Sequence, residues 1–268
     1  MNTILLIFAF SQGAIWASFA SVLAWRSGTN AQKYEDKKYQ SIITGHSVCT
    51  HCGVRIPWWG LIPIFSYLSL HGQCHNCHKK ISMLYPLMEF FTGIFTTLLT
   101  YQILHENISV YSYVFFLLIF FALLVMSYQD IWFGKIADKF AAPVIVMTFV
   151  VVVANAIFTT SYTNLVGILI SSAVILFIFS SLVILTNAMG GGDLRAFILL
   201  TLSFSFPAIL ITLTISFIAA SIGGLLQAFL TKNKKFLGMH VRLIPYLLLG
   251  FAIVAIWGNM LVNLIFYL

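Results

Sequence analysis

The feature that most constrains this chain is a series of eight apolar stretches, most of them close to the ~20 residues that a helix needs to cross a bilayer. Only 8% of the 268 residues are charged, whereas soluble domains carry about a quarter. The pattern predicts an all-α polytopic membrane protein. No basic residues precede the first stretch, so we expect a first span rather than a cleaved signal peptide. The stretches cover approximately residues 2–25, 84–104, 111–129, 140–158, 164–188, 196–206, 207–231 and 243–267.

One of these stretches, residues 196–206, is too short for a comfortable crossing. Proline lacks a backbone donor and disfavours helix at the residue before it, so Phe206-Pro207 predicts a break before the next stretch. Arg195 precedes this pair of stretches and Lys232 follows it. If both basic ends face the same side, the pair crosses an even number of times. Two tilted helices, one of them short, are the simplest solution.

The basic residues are confined to alternate loops. Residues 26–83, 130–139 and 232–242 contain Lys or Arg, whereas the loops at 105–110 and 159–163 contain neither. The positive-inside rule therefore predicts that the basic loops are cytoplasmic and that both termini lie outside. The formal charge of +7 is accordingly not a sign of nucleic-acid binding, and the lipid bilayer is the expected partner.

All four cysteines lie in the long first loop as two C-x-x-C pairs, CTHC at 49–52 and CHNC at 74–77. Two pairs brought together by a hairpin supply four thiolates to one tetrahedral ion, and zinc suits that geometry. The cytoplasm disfavours disulfides but tolerates thiolate ligands. The pattern predicts a structural zinc site, which would also supply folding free energy to a short polar loop. Four reduced cysteines without a metal, or two redox pairs, are the alternatives. The predicted ligands are Cys49, Cys52, Cys74 and Cys77.

Five histidines lie in the same loop. Four cysteines already complete a structural tetrahedral site, so we interpret the histidines as solvated or as neighbours of the ligands. Replacement of one cysteine ligand by a histidine is the alternative. These residues are His46, His51, His71, His75 and His78.

The chain has seven acidic residues, and three of them, Glu35, Asp36 and Glu106, lie in polar loops. Glu89 instead lies inside an apolar stretch, where a carboxylate is costly unless it faces protein or a basic partner. The residues alone leave two roles open for Glu89, a structural partner or a functional contact.

Asp130 ends the third apolar stretch and Asp193 follows the fifth, in the sequence GGGD. The predicted topology puts both at cytoplasmic helix ends, where two carboxylates at one level can share a site. Close together they cannot both ionise, so one can act as base toward a water while the other protonates the substrate. The alternative is structural: Asp193 could cap a helix, Asp130 could simply mark a helix end, and Asp138 is expected to cap the helix beginning near residue 140.

Four motifs together resemble those of the type IV prepilin peptidases, which are bifunctional leader peptidases and N-methyltransferases of the GxGD class of membrane aspartic proteases. The tetracysteine motif and its flanks are highly specific, whereas GxGD alone would be weak. The motifs span most of the chain. They read WASFASVLAWR at 16–26, the tetracysteine loop at 47–82 followed by YPLMEFFTG at 85–93, DIWFGKIADKFAAP at 130–143, and GGGDLR at 190–195.

The resemblance implies a membrane aspartic endopeptidase that removes the leader from type IV prepilins or pseudopilins at the cytoplasmic face of the bacterial inner membrane. It implies Asp130 and Asp193 as the catalytic pair and the four cysteines as zinc ligands. It also implies N-methylation of the new N-terminus, with S-adenosylmethionine as donor. Residues 1–104 would form the methyltransferase-associated region, and residues 105–268 the peptidase membrane domain.

The sequence departs from the family pattern in several places. Ala17 stands where the family has glycine, Ser21 where it has asparagine, Ala137 where it has proline, and Arg195 where it has lysine. Neither aspartate is affected. Two hypotheses from other classes are an ion or proton-coupled transporter that uses the membrane aspartates and a non-enzymatic assembly factor. The first leaves the cysteine loop unexplained.

Overall fold

The computed structural model describes residues 2–28, 46–159, 162–186, 191–231 and 241–266. Within these ranges the chain forms nine α-helices and one 3₁₀ turn, Trp58–Leu61. The helices are α1 Asn2–Ser27, α2 Phe65–Ser69, α3 Leu84–Leu104, α4 Val110–Phe133, α5 Asp138–Phe158, α6 Tyr162–Thr186, α7 Gly191–Ser203, α8 Phe206–Thr231 and α9 Ile244–Phe266.

Each of the eight predicted apolar stretches corresponds to one of these helices, which confirms an all-α polytopic membrane protein. Six helices in the described ranges are long and apolar enough to cross a membrane. α6 has 25 residues, whereas α7 has only 13. At 1.5 Å per residue α7 is about 20 Å long, less than the ~30 Å hydrocarbon core.

The predicted break near Pro207 lies where α7 ends and α8 begins. α7 ends at Ser203 and α8 begins at Phe206, so Pro207 occupies the first turn of α8. A proline there removes an N–H that has no intrahelical acceptor in any case, and its φ suits the helix. The proline therefore starts the second helix.

The chain divides into two compact units, residues 1–117 and 118–268. In the first unit α1 packs against α3. A Cβ on Gly13 would lie 2.7 Å from the Thr92 carbonyl oxygen and would overlap the Thr96 side chain. The Thr96 hydroxyl donates to the Ala9 carbonyl oxygen across the same crossing, at 2.8 Å. A small residue and an interhelical hydrogen bond thus let the two backbones approach closely, as is common in membranes.

In the second unit α8 packs against α9. A Cβ on Gly250 would lie 2.7 Å from the Thr212 carbonyl oxygen, so a glycine again lets two helix backbones approach closely.

The short helix α7 is enclosed by protein. It packs against α5, α6 and α9, and Phe197 stacks on Phe179 of α6 with ring centroids 4.1 Å apart. The buried Ser172 hydroxyl of α6 donates to the Thr201 carbonyl oxygen of α7 at 3.1 Å. α7 as a whole is therefore held by its neighbouring helices, and Asp193 lies in its first turn.

Candidate active site and metal centre

The tetracysteine loop folds as two similar turns. In the first, the Cys49 N–H donates to the Val54 carbonyl and the Gly53 N–H to the Cys49 carbonyl, at 3.0 and 2.9 Å. In the second, the Cys74 N–H donates to the Lys79 carbonyl and the His78 N–H to the Cys74 carbonyl, both at 3.0 Å. The residue after each C-x-x-C pair has positive φ: Gly53 at 70° and His78 at 54°. Glycine adopts this conformation freely, and the second turn places a histidine in it.

The four sulfur atoms converge within 4.8 Å of one another. Cys49 Sγ lies 3.9 Å from Cys77 Sγ, and Cys52 Sγ lies 4.0 Å from Cys74 Sγ. A tetrahedral zinc ion with bonds of about 2.3 Å separates its sulfur ligands by about 3.8 Å. The side chains therefore match a tetrahedral thiolate site, and the cysteines can hold a metal ion.

The protein backbone favours thiolate at two of these sulfurs. The Val54 N–H points at Cys52 and lowers the pKa of that thiol to about 6. N–H groups of Cys77 and Asn76 likewise lower the pKa of Cys74. Although a backbone N–H also acts on Cys77, burial and the neighbouring sulfurs raise the pKa of that thiol to about 11. The backbone donors therefore favour the deprotonated, metal-binding form at Cys52 and Cys74 in particular.

The histidines of the loop lie outside this cluster. In the described ranges the group with metal-ligand geometry is the cysteine quartet. His75 makes an edge contact with the Trp59 ring, centroid to centroid 6.0 Å, and the His46 carbonyl accepts from Arg26 at 3.4 Å. The interpretation of the histidines as neighbours of the ligands agrees with this placement.

Glu89 is buried in α3 and faces protein. Its Oε2 accepts the N–H of Ile64 at 2.7 Å, and the Ser18 side chain of α1 hydrogen-bonds the same carboxylate. Ile64 immediately precedes α2 and has φ 61° and ψ −51°. Glu89 therefore joins both membrane helices of the first unit to the segment that lies between the two cysteine pairs.

Asp130 lies in the last turn of α4, in the second unit. The N–H of Ile244, at the start of α9, donates to its Oδ2 at 3.4 Å. The Arg242 guanidinium is close enough to interact with the same carboxylate electrostatically. The polypeptide then turns at Gly134, whose φ is 62°, and a Cβ there would lie 3.8 Å from Arg242.

Asp193 lies in the first turn of α7 and is half-buried. The preceding Gly192 packs against Ile136, with a hypothetical Cβ 3.3 Å from that side chain. Met189 and Gly190 of the glycine run lie outside the described residues. The positive end of the α7 dipole favours a negative charge at this position.

The two aspartates lie at the same end of the second unit. Ile136 lies in the connection between α4 and α5, six residues after Asp130. It packs against Gly192, the neighbour of Asp193. Arg195, two residues after Asp193 in α7, forms an ion pair with Asp138 of α5. The ends of α4, α5, α7 and α9 are therefore neighbours, and Asp130 and Asp193 lie at these ends. The four cysteines form a cluster in the first unit.

Two family models match consecutive parts of the chain. The Bacterial Peptidase A24 N-terminal domain matches residues 12–103, and the Type IV leader peptidase family matches residues 117–225. This chain belongs to the type IV leader peptidase family. The first match contains the cysteine cluster, and the second contains Asp130 and Asp193.

Several relatives of this type IV leader peptidase are named prepilin leader peptidase/N-methyltransferase. The Vibrio cholerae protein is 25% identical over 202 residues, which are 74% of this chain and 76% of the relative. The Stutzerimonas stutzeri protein is 25% identical over 216 residues, 80% of this chain and 72% of the relative. The Neisseria gonorrhoeae protein is 40% identical over 68 residues, 25% of this chain and 24% of the relative. No solved structure matches the chain significantly.

The prediction that Asp138 caps α5 is wrong. Ala137 occupies the N-cap position of α5 and makes no side-chain capping bond, and Asp138 begins the helix. Its carboxylate instead pairs with Arg195, because the start of α7 brings a guanidinium to it. Asp193 lies in the first turn of α7, and the residues before Gly191, which bear on the capping alternative for Asp193, lie outside the described part of the chain.

Sequence reasoning missed two residues beside Asp130 in this leader peptidase. Gln129 is fully buried, and its Oε1 accepts the Ala137 N–H at 3.2 Å, which fixes the turn that follows α4. Arg242 reaches the same turn from the segment before α9. An amide at the polar end of an apolar run was a usable signal for Gln129. Nothing in the sequence indicated that Arg242 lies near Asp130, because 112 positions separate them.

Proposed function

We propose that this chain is a membrane aspartic endopeptidase that cleaves the leader from type IV prepilins or pseudopilins, with Asp130 and Asp193 as its catalytic pair. Support comes from the family membership, from the names of its relatives, and above all from the contacts that join the helix ends on which the two aspartates lie. The bilayer holds the substrate by its hydrophobic N-terminal helix.

The proposed reaction needs two carboxylates and a water. The ionised carboxylate removes a proton from the water, whose oxygen attacks the scissile carbonyl carbon. The protonated carboxyl donates to the carbonyl oxygen. The C–N bond then breaks as the leaving amine takes the proton that the first carboxylate removed from the water, and a hydroxyl proton of the intermediate returns to the second carboxylate. Like charges close together keep one carboxyl protonated at neutral pH. The N-terminus of α7 and the Arg242 guanidinium supply positive potential near the pair.

The proposal includes a second activity, N-methylation of the new N-terminus. S-adenosylmethionine supplies the methyl group as an electrophile to the amine. Residues 1–104, which lie within the first unit and include the cysteine cluster, are the proposed methyltransferase-associated region, and residues 105–268 are the proposed peptidase domain. A structural zinc ion would be held by four cysteines of the first unit, Cys49, Cys52, Cys74 and Cys77. The ion would fix the two cysteine turns of the loop against each other.

The proposed location is the bacterial inner membrane, with the tetracysteine loop and the aspartates on the cytoplasmic side. Support comes from the alternation of basic and uncharged loops under the positive-inside rule. The leader of a prepilin would then be cleaved before its hydrophobic helix leaves the membrane.

The decisive experiment compares Asp130→Asn and Asp193→Asn with wild-type protein on a purified type IV prepilin. We expect each variant to lower the rate of leader removal by at least about 10²-fold, since each removes a proton-transfer group. Leader removal is measured as a gel shift of the prepilin. Membrane insertion of each variant is verified by fractionation.

The matched control is Glu106→Gln, the same carboxylate-to-amide change at an exposed position in the turn after α3. We expect it to cleave at the wild-type rate. Normal cleavage by either aspartate variant would exclude the two-carboxylate mechanism. Transfer of a labelled methyl group to the processed product tests the second activity in the same assay.

A further inference from the structure

The segment between the two cysteine pairs is unusually apolar for a loop. Residues 56–70 contain no Asp, Glu, Lys or Arg. They form the 3₁₀ turn and α2, and their large side chains point outward: Trp58 is 77% exposed, Phe65 62% and Leu68 65%. A soluble loop would not expose such a cluster.

The hydrogen bond from Ile64 to Glu89 fixes the depth of this segment. α3 has 21 residues, about 31 Å at 1.5 Å per residue, so its whole length is needed to cross a ~30 Å hydrocarbon core. Glu89 lies five residues, about 8 Å, inside the first residue of α3. Because the Ile64 N–H lies 2.7 Å from the Glu89 carboxylate, the middle of segment 56–70 is held at the membrane boundary rather than in bulk water.

The surroundings of the segment match a membrane interface. Leu87 and Phe90, on the first turns of α3 around Glu89, are exposed and form part of the surface that a spanning helix presents to lipid. Basic residues flank the segment in sequence, Arg55 before it and Lys79 and Lys80 after it, all exposed. Tryptophan at the headgroup level, with apolar residues inward and bases outward, is the composition of interfacial anchors.

We propose that residues 56–70 are an interfacial membrane anchor, which inserts Trp58, Phe65 and Leu68 into the lipid boundary and holds the tetracysteine loop against the bilayer. The partner is lipid, and basic flanking residues favour anionic headgroups. The proposal is independent of the proposed enzymatic activities, because it concerns only the first unit and the membrane.

The test measures which quencher reaches Trp58 in the full-length, zinc-loaded protein reconstituted in phosphatidylcholine/phosphatidylglycerol vesicles. The fluorescence of Trp58 is obtained by subtracting the emission of Trp58→Phe from that of the wild-type protein. We expect lipid brominated near the headgroup end of its acyl chains to reduce this emission by about twofold or more, as for an indole at the interface. We expect aqueous iodide to leave it nearly unchanged.

The matched control adds His51→Trp to Trp58→Phe, which moves one indole to an exposed position in the first cysteine turn. We expect the fluorescence of this introduced tryptophan to be quenched by iodide and not by brominated lipid. Phe65→Trp in the Trp58→Phe background is a second reporter and is expected to behave like Trp58. Zinc content equal to wild type verifies that each variant folds.

Two outcomes would overturn the anchor. In the first, the fluorescence of Trp58 is quenched by iodide and not by brominated lipid, which would place the segment in water. In the second, Trp58 is reached by iodide in vesicles and is protected only when a prepilin with its hydrophobic helix is added. That result would make the surface a substrate-docking site instead.

Discussion

At the scale of single residues, the first unit depends on one buried carboxylate. Ile64 is β-branched and has φ 61°, a conformation that costs about 1–3 kcal/mol. A hydrogen bond contributes about 0.5–1.5 kcal/mol, so the bond from the Ile64 N–H to Glu89 offsets part of the strain at Ile64. The Ser18 contact satisfies the same carboxylate from α1. Glu89 thus stabilises a local backbone conformation that the surrounding sequence does not favour.

This role predicts different results for two substitutions of Glu89. Glu89→Leu removes the acceptor and leaves the partly buried Ile64 N–H without it, so we expect a loss of about 1–3 kcal/mol. Glu89→Gln keeps a carbonyl oxygen for that N–H and is expected to lose less. The measurement is protection of the Ile64 amide from hydrogen exchange, together with thermal unfolding of the purified protein.

The control for this pair is Leu87→Ala, a neighbouring exposed side chain on α3, for which we expect a change within about 0.5 kcal/mol. Equal amide protection in Glu89→Leu and wild type would show that the hydrogen bond does not hold the segment.

At the scale of elements, the cysteine turns act as one unit because each supplies half of a tetrahedral site. Neither turn has a sizeable apolar core of its own: Cys74 and Gly72 are the buried residues between 46 and 82. Metal binding can supply folding free energy directly in such a case. Residues 56–70 lie between the turns, so the metal and Glu89 together would fix both ends and the middle of the hairpin.

We therefore expect Cys49→Ser and Cys74→Ser, one from each turn, to lower bound zinc toward zero in elemental analysis of the purified protein. A serine hydroxyl is a poor substitute for a thiolate, and three remaining ligands on a loop without a core do not hold the fold. The control is His75→Ala in the same loop, which should retain zinc because His75 packs on Trp59 and lies outside the quartet. Undiminished zinc in both cysteine variants would refute the tetrathiolate site.

At the scale of the whole molecule, two units each use a glycine to bring a pair of helices together. Gly13 does so for α1 and α3, and Gly250 for α8 and α9. A methyl group at either glycine meets the backbone carbonyl of the facing helix at 2.7 Å. Backbone cannot rotate away as a flexible side chain can, so the helices must separate, at a cost of about 1–3 kcal/mol.

If the two activities belong to the two units, then Gly13→Ala and Gly250→Ala should affect them differently. We expect Gly13→Ala to reduce methylation and zinc retention more than leader cleavage, and Gly250→Ala to reduce leader cleavage more. Both activities are measured on one prepilin preparation. Gly167→Ala is the control, because the space beside this glycine in α6 is open. Equal losses of both activities in each variant would contradict a division of labour between the units.

The sequence by itself determined the helices and the convergence of the four cysteines. Apolar stretches of bilayer length fix spans because the backbone must satisfy its own hydrogen bonds in lipid, and Pro207 marks the break between α7 and α8 because it lacks a donor. Two C-x-x-C pairs predict a metal-binding quartet because their spacing is local within each turn. Membership of the leader peptidase family also followed from local motifs.

Only the tertiary structure decided how distant residues meet. Asp138 pairs with Arg195 instead of capping α5, and Arg242 lies near Asp130, because helix packing brings together segments that are far apart in sequence. The structural partner of Glu89 was found in the same way: it is the Ile64 N–H, a backbone group that carries no signal in the amino-acid sequence. Contacts of this kind depend on packing, which local pattern does not encode.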